Sequence, residues 1–185
     1  MRTRMVLHEK NADFEVREVD LKNKSEEFLR VSPTGKVPVL AVDDGDALYE
    51  SNAVNQYLEE VYNSRRLLPG DAKRRAFARV WMVSADESFY PAVFAASFGR
   101  KNGEPESEMS EPLRKLEKAL SDLEARLEGR DYLADEFSLA DAAHAGAFAR
   151  LRGLDEGEDV SLNDYPSVTG WMRRIEERES YQSSL

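Results

Sequence analysis

VSPTGKVPVLAVDDGDALYES, residues Val31–Ser51, is the stretch that decides the fold. Two short apolar runs, Val37–Val42 and Ala47–Tyr49, flank an acidic turn, Asp43-Asp44-Gly45-Asp46. Strand-length runs joined by a glycine-containing turn predict a β-hairpin. A helical stripe follows at once, with Val54, Tyr57, Leu58 and Val61 at i, i+3, i+4 and i+7. Ser51 stands just ahead of that stripe, where an N-cap belongs. A helix N-terminus attracts carboxylates through unpaired N–H groups and the helix dipole. Pro38 at the strand entry removes one backbone donor, and X–Pro bonds are where cis peptides occur. A cis bond here would present the backbone of Val37 to a ligand. The stretch thus predicts a peptide-binding edge beside an anion-binding helix end.

Outward from the hairpin the pattern splits into two halves. Met1–Lys10 reads as a helix with Met1, Met5 and Val6 inward. Phe14–Val19 (FEVREV) alternates as a strand, and Ser25–Leu29 reads as a short helix or turn. On the other side, the helix Ser51–Tyr62 ends at a linker, Asn63–Asp71 (NSRRLLPGD), punctuated by Pro-Gly. Beyond it the period is helical throughout. Mixed strands and helices followed by helices alone predict two domains, residues 1–65 and 71–185. Ala72–Phe98 reads as one long helix or a kinked pair, with Phe77, Val80, Trp81 and Ser84 marking a face and Pro91 the kink. Gly99–Ser107 reads as a loop. Leu113, Leu116, Leu120, Leu123 and Leu127 predict a helix over Pro112–Glu128, with Gly129 as its C-cap. Ser138 and Asp141 have capping-box spacing, with Asp in place of Glu, at the start of an Ala-rich helix. Tyr165-Pro166 opens a last helix whose Val168, Trp171, Met172 and Ile175 share a face.

Composition sets outer bounds. The chain has 185 residues, is 41% hydrophobic, and carries 36 acidic against 26 basic side chains, for a formal charge of −10. An acidic surface argues against nucleic-acid binding, which needs a basic face. No apolar run is long enough for a transmembrane helix, and Met1–Arg4 does not open a signal peptide. The expected compartment is the cytoplasm. Cysteine is absent, which excludes disulfides, thiolate metal sites and a protein thiol nucleophile within this chain. His8 and His144 form no metal pair, and His144 in its Ala-rich helix reads as a packed core residue. The acidic run Asp155–Asp159 lacks calcium-loop spacing and reads as a solvated loop.

SPTGKVPVL followed by YESNAVNQYLEE resembles the glutathione transferase family. The resemblance extends to DYLADEFSLADAAHAGAFARL and YPSVTGWMRRIEERESY, and so covers Met1 to about Tyr181. It implies a thioredoxin-like N-terminal domain and an all-helical C-terminal domain (α+β or α/β in class). It implies that the residue before the proline pairs with the backbone of glutathione, and that the acidic residue and Ser of the E-S pair hold its γ-glutamyl end. In this chain those are Val37, Pro38, Glu50 and Ser51, with Lys36 near the ligand's other end. It further implies glutathione as co-substrate, no metal, a small hydrophobic electrophile, and a homodimer with the helix after the linker at its interface.

One departure concerns the start. In the family a strand and a turn precede the helix that begins here, and that turn carries the Ser, Tyr or Cys that activates the thiol. That residue is therefore expected upstream of Met1. A misplaced gene start, a deliberate truncation, and a natural variant completed by another chain all remain open. Activation matters because a free thiol, with a pKa of about 8.5, is mostly protonated at neutral pH. Within the chain Thr3 is a candidate hydroxyl, with an exposed helix position as the plain alternative. Phe89, Tyr90 and Phe94, with Phe98, are candidates for an electrophile pocket, or else for core or dimer contacts. The competing functional reading is a non-catalytic regulatory protein: LHEK near the start and WMRRIEERESYQSSL at the end resemble the stringent starvation protein A family. A glutathione-dependent dehalogenase or isomerase is a third reading.

Overall fold

A computed structural model describes residues 1–42 and 45–185. In chain order the elements are α1 (Arg2–Glu9), α2 (Glu26–Val31), β1 (Val39–Ala41), β2 (Ala47–Tyr49), α3 (Ser51–Val61), α4 (Ala72–Ser84), a π-helical turn (Ala85–Phe89), α5 (Tyr90–Asn102), α6 (Glu106–Leu127), α7 (Leu139–Ala145), α8 (Phe148–Glu156), α9 (Pro166–Glu176) and α10 (Glu179–Gln182). A 3-10 turn, Leu162–Asp164, precedes α9.

The two halves meet on α7. All seven of its residues are buried, and α1, α3, α4 and α9 pack around it. The Ser138–Asp141 capping box forms as the spacing predicts. Asp141 also accepts from Leu133 N–H at 3.0 Å and Trp171 Nε1 at 2.8 Å. Burial raises the Asp141 pKa, and those hydrogen bonds only partly oppose it. His144 is the packed residue its sequence context suggests, enclosed by the rings of Trp81, Phe89 and Trp171. Its Nδ1 lies 2.8 Å from the Ala140 carbonyl, and burial pulls its pKa down to about 4.

Several boundaries differ from the sequence reading. Phe14–Val19 forms no strand: Glu15, Val16, Arg17 and Glu18 are exposed, and the described sheet is β1 and β2 alone. Alternation makes a segment fit for pairing, but a strand exists only against a bonded neighbour. The strands of the hairpin are three residues each, and Pro38 lies just outside β1. The acidic turn falls partly on Asp43 and Asp44, outside the described residues. Helix runs on from Phe98 to Asn102, where left-handed Gly103 ends it, and α6 starts six residues before Pro112. The expected loop shrinks to three residues accordingly. Pro91 sits in the first turn of α5 behind the π turn, which absorbs its missing N–H. The linker is anchored: Leu67 and Leu68 are buried, and Leu67 C=O accepts from Leu139 N–H at 2.9 Å. The Asp155–Asp159 run is structural, since Asp155 accepts from Leu162 N–H and Asp159 pairs with Arg100.

Candidate glutathione site

The hairpin register places the site. β1 and β2 pair Val39↔Tyr49, Leu40↔Leu48 and Ala41↔Ala47, and Val42 N–H donates to Asp46 C=O at 2.9 Å. Bonded and non-bonded pairs alternate in an antiparallel ladder. Leu40 and Val42 therefore bond to β2, while Val39 and Ala41 turn their N–H and C=O groups to the open edge. Because Val39 faces Tyr49, the chain leaves the same end of the ladder as Val37 on one side and Ser51 on the other. The Val37–Pro38 peptide is cis. Among the described residues, neither the N–H nor the C=O of Val37 makes a hydrogen bond.

Opposite lies the N-terminus of α3. Its N-cap is Glu50, not Ser51 as the sequence suggested. Ser51 is the first helical residue and makes no capping bond, so its hydroxyl is not consumed by the helix. The first bonded N–H is that of Val54, onto Glu50 C=O at 3.0 Å. The N–H groups of Ser51, Asn52 and Ala53 donate to nothing among the described residues. Glu50 has φ +65° and ψ 111°, outside the regions an L-residue occupies without cost. Such strain concentrates at functional positions.

Lys36 is exposed, and its backbone is clasped instead. The hydroxyl of buried Ser32 donates to Lys36 C=O at 2.8 Å and accepts from Lys36 N–H at 3.1 Å. Gly35 turns this loop with φ +62°, and an added Cβ would come 3.1 Å from Lys24 Nζ. The loop entering β1 is therefore held by its own backbone contacts, ahead of any ligand.

Three residues that the sequence reading passed over tie this end to the helical half. Arg2 Nη1 lies 3.4 Å from Ser51 Oγ and pairs with Asp86 from the π turn. Asn52 Nδ2 donates to Asp86 at 2.7 Å and to Met82 C=O at 3.0 Å. The Arg2 guanidinium also stands 4.7 Å from the centre of the Tyr90 ring. A signal for Arg2 was present: Arg2, Met5, Val6, Glu9 and Lys10 fall at i, i+3, i+4, i+7 and i+8, so charges share the apolar stripe.

Of the expected pocket residues, Phe89 turns inward: it is 1% exposed and packs on His144, so it belongs to the core. Tyr90 and Phe94 lie on the other side of α5, with Phe98 one turn on. Thr3 is buried rather than exposed, and its hydroxyl has no partner among the described residues. No His, Cys, Asp or Glu group suited to a metal is found among the described residues, and no described helix is long and apolar enough to cross a membrane.

Comparison with known proteins agrees with this geometry. Residues 1–61 match the model of the glutathione S-transferase N-terminal domain, and residues 83–179 that of the C-terminal domain. Glutathione S-transferase U19 of Arabidopsis thaliana is 33% identical over all of this chain and 84% of its own length. Glutathione S-transferase 3 of Zea mays is 34% identical over all of this chain and 87% of its own. A glutathione transferase from Burkholderia graminis, solved with two glutathione molecules per subunit, superposes with a TM-score of 0.87 at 26% identity, over 98% of this chain and 81% of that one. With both domain models matched in order and relatives aligned over the whole of this chain, the chain belongs to the glutathione S-transferase family.

Proposed function

We propose that this protein binds glutathione and transfers its thiolate to a small hydrophobic electrophile. The observation that carries the reading is the meeting, at one end of the hairpin, of the unbonded Val37 backbone with the unbonded N–H groups of α3. An extended tripeptide fits between them. Its cysteine backbone pairs with Val37, and its γ-glutamyl carboxylate takes the α3 N–H groups and the Ser51 hydroxyl, with Arg2 behind. Glu50 accepts from the ammonium. The sulfur then points toward α1. In the reaction the thiolate attacks the electrophilic carbon, a C–S bond forms, and the leaving group departs with its electron pair. Residues 1–65 act as the glutathione-binding unit and 71–185 as the helical unit, whose Tyr90 and Phe94 wall the electrophile.

Affinity retention on immobilised glutathione tests the grip. The wild-type chain should be retained, and Glu50→Ala with Ser51→Ala should lose at least about tenfold in affinity, the equivalent of one good charge-assisted contact. Equal retention of both proteins would refute the assignment.

The proposal includes a homodimer. Phe77, Val80 and Val83 on α4 are 49%, 59% and 51% exposed, and Tyr57 and Val61 of the adjoining α3 add to them. Arg79 Nε donates to Gln56 at 3.1 Å and Asn52 Nδ2 to Met82 C=O, so the two helices are linked by side-chain hydrogen bonds. An apolar face of this kind usually marks a contact with another chain. Sedimentation should give a dimer, and Val80→Arg a folded monomer whose unfolding midpoint no longer rises with protein concentration.

A further inference from the structure

The wall that begins at Tyr90 does not end with the electrophile pocket. Tyr90, Phe94 and Phe98 recur every fourth residue, so α5 presents them on one face. Their rings are nearly parallel: Tyr90 and Phe94 are 6.5 Å apart at 16°, Phe94 and Phe98 5.8 Å apart at 11°. Phe94 is 43% exposed. Two guanidinium groups lie against this ladder. Arg2 stands over Tyr90, and Arg150 of α8 stands over Phe94 with its Cζ 5.2 Å from the ring centre.

The two arginines differ in what else holds them. Arg2 is largely buried and paired with Asp86. Arg150 is exposed and pairs with no carboxylate among the described residues, although acidic side chains outnumber basic ones by 36 to 26. A guanidinium resting on a ring keeps its edge donors available, and that edge matches a carboxylate or sulfonate in two-point geometry. Arg150 also lines an open cavity of about 770 Å³ with Ser97, Gly153 and Leu154. Of the carboxylates lining the same cavity, Glu106 and Asp159 are taken up by Arg100, and Glu158 is exposed.

These contacts form one path. It runs from Ser51 to Arg2 at 3.4 Å, from Arg2 to Tyr90 at 4.7 Å, along the rings to Phe94, and on to Arg150. We infer that Arg150 is a specificity residue: it selects aryl electrophiles that carry an anionic group, the aryl ring lying on Phe94 and the anion on the guanidinium. This rests on the glutathione reading and names the substrate class for it. For a chloronitroaryl acid, the thiolate sulfur bonds to the ring carbon that bears chlorine. The C–Cl bond then breaks, and chloride leaves with the bonding pair.

Calorimetric titration of two glutathione conjugates tests the inference without requiring turnover. S-(4-carboxy-2,6-dinitrophenyl)glutathione should bind up to about fivefold more tightly than S-(2,4-dinitrophenyl)glutathione at low salt, the range for a solvent-facing ion pair. In Arg150→Gln that ratio should fall to near one, and Arg150→Lys should restore part of it. A wild-type ratio of one, or a preference that survives Arg150→Gln, overturns the assignment and leaves the glutathione site standing. Failure of glutathione and both conjugates to bind overturns the glutathione reading, and this inference with it.

Discussion

Asp141 on α7 and the polar groups around the hairpin are treated in opposite ways. In the first region every acceptor of Asp141 is used, by Leu133 N–H, Ser138 N–H and Oγ, and Trp171 Nε1. Nothing is left over for a ligand, and the group is fully buried. In the second region the backbone of Val37, the edge of β1 and three N–H groups of α3 are left unbonded among the described residues. Buried polar groups are costly unless paired, so a fold completes its pairing wherever it has no other use for them. Unbonded groups gathered at one exposed end therefore mark binding more reliably than charge does. Asp141 on α7 serves the fold, and the groups near α3 are the ones proposed to take the ligand.

Disrupting the first region should give the largest effect. Asp141→Ala leaves Leu133 N–H, the Ser138 amide and Trp171 Nε1 buried without acceptors. The loss should be on the order of 4 kcal/mol in urea unfolding. Asp141→Asn keeps acceptor capacity and should cost less. If Asp141→Ala unfolds within about 1 kcal/mol of wild type, α7 is not the anchor it looks to be, and the contrast between the regions collapses.

How much of each region could be read beforehand follows from the same contrast. The capping box was legible because its partners are three residues apart. The hairpin and α3 were legible because period and turn chemistry are local. Trp171 as a partner of Asp141 was not, because 30 residues separate them and neither residue type demands the other. The Phe14–Val19 strand failed for the converse reason, since its local pattern had no neighbour to pair with. Ser51 is the first residue of α3 and not the N-cap that its place ahead of the apolar stripe predicts. Its hydroxyl faces Arg2, a residue of the apolar stripe of α1 that sequence spacing alone did not connect to it. Charges on that stripe were the legible clue: Glu9 and Lys10 prove buried and paired, Glu9 with Arg178 and Arg65, Lys10 with Glu59.

Acid should probe the α7 region next. His144 has its pKa lowered to about 4 by burial, from an ordinary 6.5. The Ala140 carbonyl and Asp86 oppose the shift, and Arg2 adds to it. Above pH 6.5 neither folded nor unfolded chain protonates this ring, so it contributes no pH dependence. Between pH 6.5 and 4 the unfolded chain binds a proton that the folded chain refuses. Stability should fall by about 1.4 kcal/mol per pH unit across that window, reaching on the order of 3 kcal/mol. His144→Phe removes the titration and should flatten the slope of unfolding free energy against pH from 6.5 to 4.5. An unchanged slope would mean that His144 protonates freely in the fold, and that the packing around α7 admits water.

The smallest effect separates the two regions most sharply, because its sign reverses between stability and binding. Glu50 holds φ +65° without being glycine. Its carboxylate is exposed and forms no ion pair among the described residues. Glu50→Gly should therefore relieve backbone strain, offset in part by the greater freedom of glycine in the unfolded chain. The net gain should be roughly 0.5–1 kcal/mol of stability. The same change removes the acceptor assigned to the glutathione ammonium, so affinity should drop even as the melting temperature rises. At Asp141 no such trade is available, since removing that carboxylate leaves its buried donors without an acceptor and only subtracts. If Glu50→Gly lowers both stability and affinity, the conformation of Glu50 is supported by contacts of its own, and the α3 end is built for the fold as α7 is. If it raises stability and leaves glutathione affinity unchanged, the strain serves something other than this ligand, and the grip must be reassigned to the α3 N–H groups and Ser51 alone.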